Sequence, residues 1–445
     1  MASHDLTQGS VTKTMLRFAV PMICGNLLQQ FYNVADTLIV GRYLGSDALA
    51  AVGSAYTLMT FLTSILLGLC LGSGAIFSMR YGAGDLERLR SDRFVSFLLI
   101  LVLTLALNAA AFLFLDEILA ALSVPAQVYS LMREYVWVVF WGIGATFLYN
   151  YYASLLRAVG NSMAPLLFLG GAAFLNIGLD LLFVLVLQRG AAGAAWATVI
   201  AQWCSGLGIL LYTLLRCPWL RIHRGAMKIN GKAVRELSSA SVLTCLQQSV
   251  MNLGILMVQG LVNSFGAGVM AAFAAAVKID SFAYMPVQDF GNAFSTFIAQ
   301  NYGAKKPERI RRGIRSALRV SLLFSLCVSA LVVLFARQLL LLFLQPQETE
   351  ILSIGISYLR IEGAFYCGIA GLFLLYGLYR AIERPGMSLI LTGISLGTRV
   401  LLAYTLSAVP WIGVTGIWWS VPIGWFLADL VGVLRFRTLK HRLVS

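Results

Sequence analysis

Apolar runs of helical length recur along the chain, at about residues 16–40, 51–80, 94–115, 129–153, 163–187, 191–215, 237–264, 268–302, 316–337, 353–379, 386–408 and 413–434. Each reaches the ~20 residues needed to cross the hydrocarbon core of a bilayer. The polar stretch Arg216 to Glu236 divides them six and six. The pattern predicts an all-α polytopic membrane protein with twelve transmembrane helices in two six-helix lobes. The N-terminal lobe is expected at 1–215, a cytoplasmic linker at 216–236 and the C-terminal lobe at 237–445. Six spans return the chain to its starting side. The lobes are therefore expected to be parallel, related by an axis along the membrane normal.

The second half repeats the first. Tyr81-Gly-Ala-Gly-Asp-Leu-Glu-Arg-Leu-Arg90 returns as Tyr302-Gly-Ala-Lys-Lys-Pro-Glu-Arg-Ile-Arg311, an offset of 221. Gly45, Ala50, Ala51 and Ala55 match Gly266, Ala271, Ala272 and Ala276 at the same offset. Tyr135, Arg157, Ala158, Gly170, Gly190, Gly193 and Trp196 match Tyr358, Arg380, Ala381, Gly393, Gly413, Gly416 and Trp419 at offset 223. A period near half the chain length indicates two homologous halves, not a solenoid. In a membrane chain such duplication is the usual construction of a secondary transporter.

Composition agrees with the spans. Hydrophobic residues are 59% of the chain, charged residues 12%, and the mean hydropathy is +0.82. A soluble domain carries about 25% charged residues. The polar first fifteen residues run straight into the first span, so no signal peptide is expected. The net charge is +14, which by itself invites a nucleic-acid reading. Its distribution argues otherwise. The termini and the even-numbered connections hold 26 of the 33 Lys and Arg residues, whereas the odd-numbered connections hold only Arg42, Arg189 and Arg337. Lys and Arg accumulate on the cytoplasmic side. Both termini are thus expected in the cytoplasm, in a multi-pass protein of the cell inner (plasma) membrane with no nucleic-acid partner.

Several chemistries have nothing to work with. Cys24, Cys70, Cys204, Cys217, Cys245, Cys327 and Cys367 show no C-x-x-C spacing, and His4, His223 and His441 all lie in polar termini or loops. The nearest approach to a P-loop, Gly225-Ala-Met-Lys-Ile-Asn-Gly-Lys-Ala233, has five residues between its glycines and Ala where Ser or Thr should ligate Mg²⁺. No enzyme, no cofactor and no direct ATP drive are expected.

Polar side chains inside spans are costly and mark pathways. Asn26, Gln29, Asn33 and Asp36 recur at steps of three and four, so they share one face of the first span. Asn176 precedes Asp180 by one turn in the fifth span, and Thr198 precedes Gln202 by one turn in the sixth. At ~1.5 Å per residue, Asp36, Asp180, Asn176, Thr198 and Gln29 fall roughly 6–17 Å below the outer surface, near enough in depth to meet. Two carboxylates, two amides and a hydroxyl are hard oxygen ligands, suited to a proton or a small hard cation. The simpler alternative is that each Asp hydrogen-bonds a neighbouring helix. Span seven carries its own stripe of Thr244, Gln248, Asn252, Gln259 and Asn263, which suits either interhelical hydrogen bonds or substrate contact. Lys278, Asp280 and Asp289 in span eight and Arg399 in span eleven are expected to form internal charge pairs, with Glu362 and Asp429 as further candidate partners of Arg399. Pro21, Pro286 and Pro422 fall inside spans. Each removes a backbone hydrogen bond, which gives a static bend or a hinge.

These residues resemble the MATE (multidrug and toxic compound extrusion) family of the MOP flippase superfamily, and most closely its prokaryotic DinF-like branch. The resemblance covers nearly the whole chain, including long second and eighth spans that each end in Tyr-Gly-Ala before basic residues. It implies a cation site in the N-terminal lobe formed by Gln29, Asp36, Asn176, Asp180 and Thr198, and a hinge at Pro21. It implies secondary active efflux of amphipathic, often cationic drugs or toxic organic compounds, antiported against H⁺ or Na⁺ by alternating access. Asn33, Gln202, Gln248, Asn252 and Gln259 would line the substrate cavity. No metal is expected beyond Na⁺ at the cation site. The partners would be a small-molecule drug or toxic metabolite and the lipid bilayer, and a monomer is expected. The alternative within the superfamily is a lipid-linked or polysaccharide flippase, which positive charge in the cavity would favour. The NorM-like branch places acids in spans seven and eight; span seven here has none.

The asymmetry of Lys and Arg is testable. Single cysteines at Gly225 and Gln127, in a background freed of the seven native cysteines, are expected to react with an impermeant maleimide from opposite faces of the membrane. Labelling of both from outside would exclude the twelve-span topology.

Overall fold

The computed structural model describes residues 5–444 except 123, 125, 223, 224, 226, 228 and 229; at 46, 50, 121 and 439–444 it describes the backbone alone. His4, His223, Arg224 and Lys228 therefore lie outside the described residues. Every ordered element among the described residues is helical. Lipid offers no hydrogen bonds, so a spanning backbone must satisfy its own polar groups, which a helix does.

In chain order the α-helices are α1 (Val11–Leu44), α2 (Ser46–Gly82), α3 (Leu86–Leu113), α4 (Leu115–Ala121), α5 (Ala126–Phe140), α6 (Ile143–Ala158), α7 (Met163–Asp180) and α8 (Gly190–Arg216). They continue with α9 (Gly231–Asn263), α10 (Ala267–Gly303), α11 (Pro307–Leu334), α12 (Ala336–Leu340), α13 (Thr349–Gly363), α14 (Tyr366–Ala381), α15 (Pro385–Ser407) and α16 (Val414–Val444). Nine elements among the described residues are long and apolar enough to cross a membrane alone, and α13 with α14 forms a tenth span bent by 50°. The remaining two of the twelve spans are exceptions with physical causes. The first, α1, has 34 residues but its polar stripe dilutes its hydropathy. The fourth is interrupted at Trp141–Gly142, leaving α5 and α6 with 15 and 16 residues. The break in the tenth span falls at the position that duplicates this one, since Gly142 and Phe365 are 223 apart. An interrupted helix frees carbonyls, and the Trp203 indole donates to the Trp141 carbonyl at 3.0 Å.

By contacts the chain divides into two compact units, one of residues 1–5 and 20–245, the other of 6–19 and 246–445. The division does not fall at the polar linker 216–236. The first turns of α9 belong to the first unit, and the start of α1 belongs to the second. Close packing explains the first displacement. A Cβ on Gly72 of α2 would lie 2.4 Å from the Ala240 carbonyl and 2.6 Å from Ser241 Cα, so only glycine admits α9 there. Beside it, the Ser73 and Ser241 hydroxyls meet at 2.8 Å. Arg80 bonds both Asp92, at 3.0 Å, and Glu236, and Arg88 reaches Glu236 at 3.1 Å. In the second unit Arg309, which duplicates Arg88, performs the matching task. Its guanidinium donates to the carbonyls of Leu6, Gln8 and Gly9 at 3.0, 2.9 and 2.6 Å. Lys306 adds the Thr7 carbonyl at 2.9 Å.

Gly72→Val is expected to overpack the α2–α9 contact and cost about 1–3 kcal/mol, read as a lower melting temperature and yield of purified protein. Gly171→Ala, on a helix position with nothing within 4 Å, is expected to leave both unchanged or slightly raised.

Candidate functional site

The site of the first unit is built on four spans. α1 brings Asp36, Tyr32 one turn earlier and Gln29 two turns earlier. Asp180 is the last residue of α7, and the six residues after it, Leu181–Val186, form a wider π-helical turn. Such turns insert one extra residue into a helix and occur frequently at functional sites. Thr198 faces in from α8 and Tyr135 from α5.

The carboxyl groups of Asp36 and Asp180 are in hydrogen-bond contact with each other. Asp180 is fully buried and Asn176 is 2% exposed. In the amide orientation that satisfies both of its ends, Asn176 Nδ2 donates to Asp180 Oδ2 at 3.2 Å and Asn176 Oδ1 accepts the Thr198 N–H at 3.2 Å. One oxygen of each acid, Asp36 Oδ1 and Asp180 Oδ1, is buried with no hydrogen-bond donor among the described residues. The site thus has spare acceptors, which suit a proton or one small cation. Tyr32 joins Gln29 by a side-chain hydrogen bond and lies within electrostatic reach of both acids, as does the buried Tyr135.

Of the five residues expected here, Asp36, Asp180, Asn176 and Thr198 come together directly, and Gln29 joins through Tyr32. Tyr32 and Tyr135 were not among the expected residues. The signal for Tyr135 was present, since it is one of the residues kept in the duplication, as Tyr358.

Tyr358 marks a second acid cluster, contained in the second unit. Its hydroxyl donates to Glu362 Oε2 at 2.8 Å and lies 3.5 Å from Asp280 Oδ2. The Asp280 and Glu362 carboxyls contact each other, and Tyr366 bonds Asp280. Arg399 acts on both acids electrostatically, yet forms no ion pair within 4.0 Å among the described residues, and its buried Nε has no hydrogen-bond partner. Of the expected internal charge pairing of Lys278, Asp289 and Arg399, Arg399 is thus within electrostatic reach of its candidate partner Glu362. Asp289 is buried, whereas Lys278 is exposed and lies 5.8 Å from the centre of the Phe343 ring. A flexible ammonium stem runs outward over apolar surface more cheaply than it enters a dry interior.

The residues expected to line a substrate cavity are distributed over both units. In the first, Asn33 Nδ2 donates to Gln30 at 3.3 Å, and Gln202 Oε1 packs against Gly142 at the break in the fourth span. In the second, Gln248 is 9% exposed, Asn252 is half-buried and Gln259 donates to Asn263 at 2.8 Å along α9. No group of three or more His, Cys, Asp or Glu among the described residues is arranged to hold a metal ion.

A profile described as MatE matches residues 21–182 and 240–405. A curated relative named "Probable multidrug resistance protein YpnP", from Bacillus subtilis (strain 168), is 29% identical over 444 residues, covering 98% of this chain and 97% of its own. A solved structure described as MATE in the bent conformation has 25% identity and TM-score 0.92, covering 98% of this chain and 97% of that one. A second, described as the outward-facing conformation of a multidrug resistance MATE family transporter of the MOP superfamily, has 24% identity and TM-score 0.93 with complete coverage of both chains.

Asn176→Leu is expected to strand the second Asp180 oxygen, whose donor is the Asn176 amide. The loss is about 1–3 kcal/mol, measured as a fall in the melting temperature of purified protein. An unchanged melt would show that the amide does not satisfy Asp180.

Proposed function

The chain belongs to the MatE family, and on that premise we propose that it exports amphipathic, often cationic organic compounds in exchange for protons held at Asp36 and Asp180. Named relatives include a probable multidrug resistance protein and a multidrug export protein. The observation that carries the coupling is the contact between the two carboxyls. Two like charges this close in a medium of low dielectric repel strongly, so binding of a proton by one acid depends on the state of the other. Adding a second proton makes the pair neutral; losing one makes it anionic. A cationic drug favours the anionic pair, and protons from the outer side favour the neutral one. Exchange needs no more than this difference in affinity between two states of the protein.

The remaining assignments follow the same reading. Asn33, Gln202, Gln248, Asn252 and Gln259 line the substrate path and supply hydrogen bonds without fixed charge, in keeping with varied substrates. Pro21 is the hinge of α1. In support, the contacts of α1 pass from the second unit to the first between Ala19 and Val20, one residue before the proline. The protein works as a monomer in the inner (plasma) membrane with both termini in the cytoplasm.

In everted vesicles, drug uptake is expected to follow an imposed pH gradient and to ignore an imposed Na⁺ gradient; the reverse result would make Na⁺ the coupling ion in the same oxygen set. Asp36→Asn and Asp180→Asn are each expected to abolish gradient-driven efflux, by about 100-fold or more for loss of the titrating group, while the protein still inserts and folds. Full efflux by both variants would refute the site. Pro21→Ala is expected to slow transport more than it weakens drug binding or lowers the melting temperature; unchanged transport would make Pro21 a static bend.

A further inference from the structure

The second unit holds an open cavity of about 180 Å³ lined by Tyr379, Arg384, Gly386, Met387 and Arg435. It lies where α14 ends, α15 begins and the last turns of α16 pass, on the membrane face that the distribution of Lys and Arg assigns to the cytoplasm. Two guanidinium groups line it together. Neither Arg384 nor Arg435 forms an ion pair among the described residues. The neighbouring acid, Glu383, is exposed and sits close to Tyr302. Tyr379 is already committed, its hydroxyl donating to the Gly432 carbonyl at 2.7 Å.

The duplicated positions of the first unit show what this arrangement lacks. At offset 223, Arg384 and Arg435 correspond to Asn161 and Tyr212. There the two side chains bond each other, with Asn161 Nδ2 donating to the Tyr212 hydroxyl at 3.4 Å. Asn161 Oδ1 also accepts the Ala164 N–H at 3.1 Å, capping the first turn of α7. Both services are lost in the second unit. Two arginines repel instead of bonding. Arg384 has no acceptor with which to cap α15, and no side chain caps that helix. The first-turn N–H of Gly386, in the cavity wall, has no intrahelical acceptor.

We propose that this cavity binds the phosphate of an anionic phospholipid headgroup. A phosphate oxygen accepts from the Gly386 N–H in the place of the missing cap, and the remaining oxygens take the two guanidinium groups. Arg is the side chain best matched to phosphate, through paired N–H donors. Basic pockets between spans on the cytoplasmic face are a recognised form of site for anionic lipids. A phosphate monoester or free phosphate offers the same oxygens. The position at the membrane face, with α14, α15 and α16 rising into the bilayer behind it, assigns the phosphate to a lipid.

The test uses the full-length purified protein in neutral detergent, titrated with phosphatidylglycerol and with inorganic phosphate, and read by native mass spectrometry and thermal melts. The variant Arg384→Asn/Arg435→Tyr recreates the neutral pair of the first unit, and is expected to bind phosphatidylglycerol roughly tenfold or more weakly than the natural chain. Arg435→Gln, a milder change, is expected to fall in between. Arg437→Gln, at an exposed position that does not line the cavity, is expected to bind as the natural chain does. Inorganic phosphate is expected to leave the melt unmoved. Equal phosphatidylglycerol affinity in the natural chain and the double variant would overturn the site. An equal loss in Arg437→Gln would replace it with a diffuse basic surface. Stabilisation by inorganic phosphate matching that by the lipid would overturn the lipid assignment.

Discussion

Two carboxyl groups touching inside an apolar bundle can hold two, one or no protons, and the medium makes these states very unequal in energy. Full ionisation places like charges in contact where little solvent screens them. The rest of the first unit is arranged around that inequality. Asn176 fixes one oxygen of Asp180 and is itself held by the backbone of α8. The π-helical turn after Asp180 re-aims the end of the fifth span. Tyr32 and Tyr135 offer hydroxyls near the pair without adding charge. What results is a pair of acids held in contact, with one buried oxygen of each without a hydrogen-bond donor among the described residues.

The second unit also brings two acids together with a tyrosine, but from other spans. Asp36 and Asp180 come from the first and fifth, whereas Asp280 and Glu362 come from the eighth and tenth. The retained element is the tyrosine, Tyr135 in one half and Tyr358 in the other. The position equivalent to Asn176 is Arg399, a fixed positive charge within electrostatic reach of both second-unit acids. The two halves therefore share a backbone plan and differ in the charge placed on it.

Much of this was legible before any coordinates. A bilayer demands about twenty apolar residues per crossing, so the spans announce themselves, and the one-turn spacing of Asn176 and Asp180 follows from helical geometry. The breaks at Trp141–Gly142 and around Phe365 were not legible, because no proline marks them and apolar composition runs straight through. Lys278 and Asp289, eleven residues apart, share a helical face by spacing, yet one is exposed and the other buried. Helical spacing places residues along one line only where the helix is straight and its surroundings uniform, and Pro286 lies between these two. The contact of Asp280 with Glu362 joins different spans, and no periodicity within a single helix encodes it.

The allocation of helix ends has a consequence for how such a chain can be divided. Residues 6–19 belong to the unit that otherwise begins at 246, and residues 231–245 to the unit that ends there. A cut in the polar linker would leave one fragment without the segment that Gly72, Ser73 and Arg80 are shaped to receive, and the other without the segment that Lys306 and Arg309 hold. Each half is thus an incomplete folding unit although the sequence is a duplication.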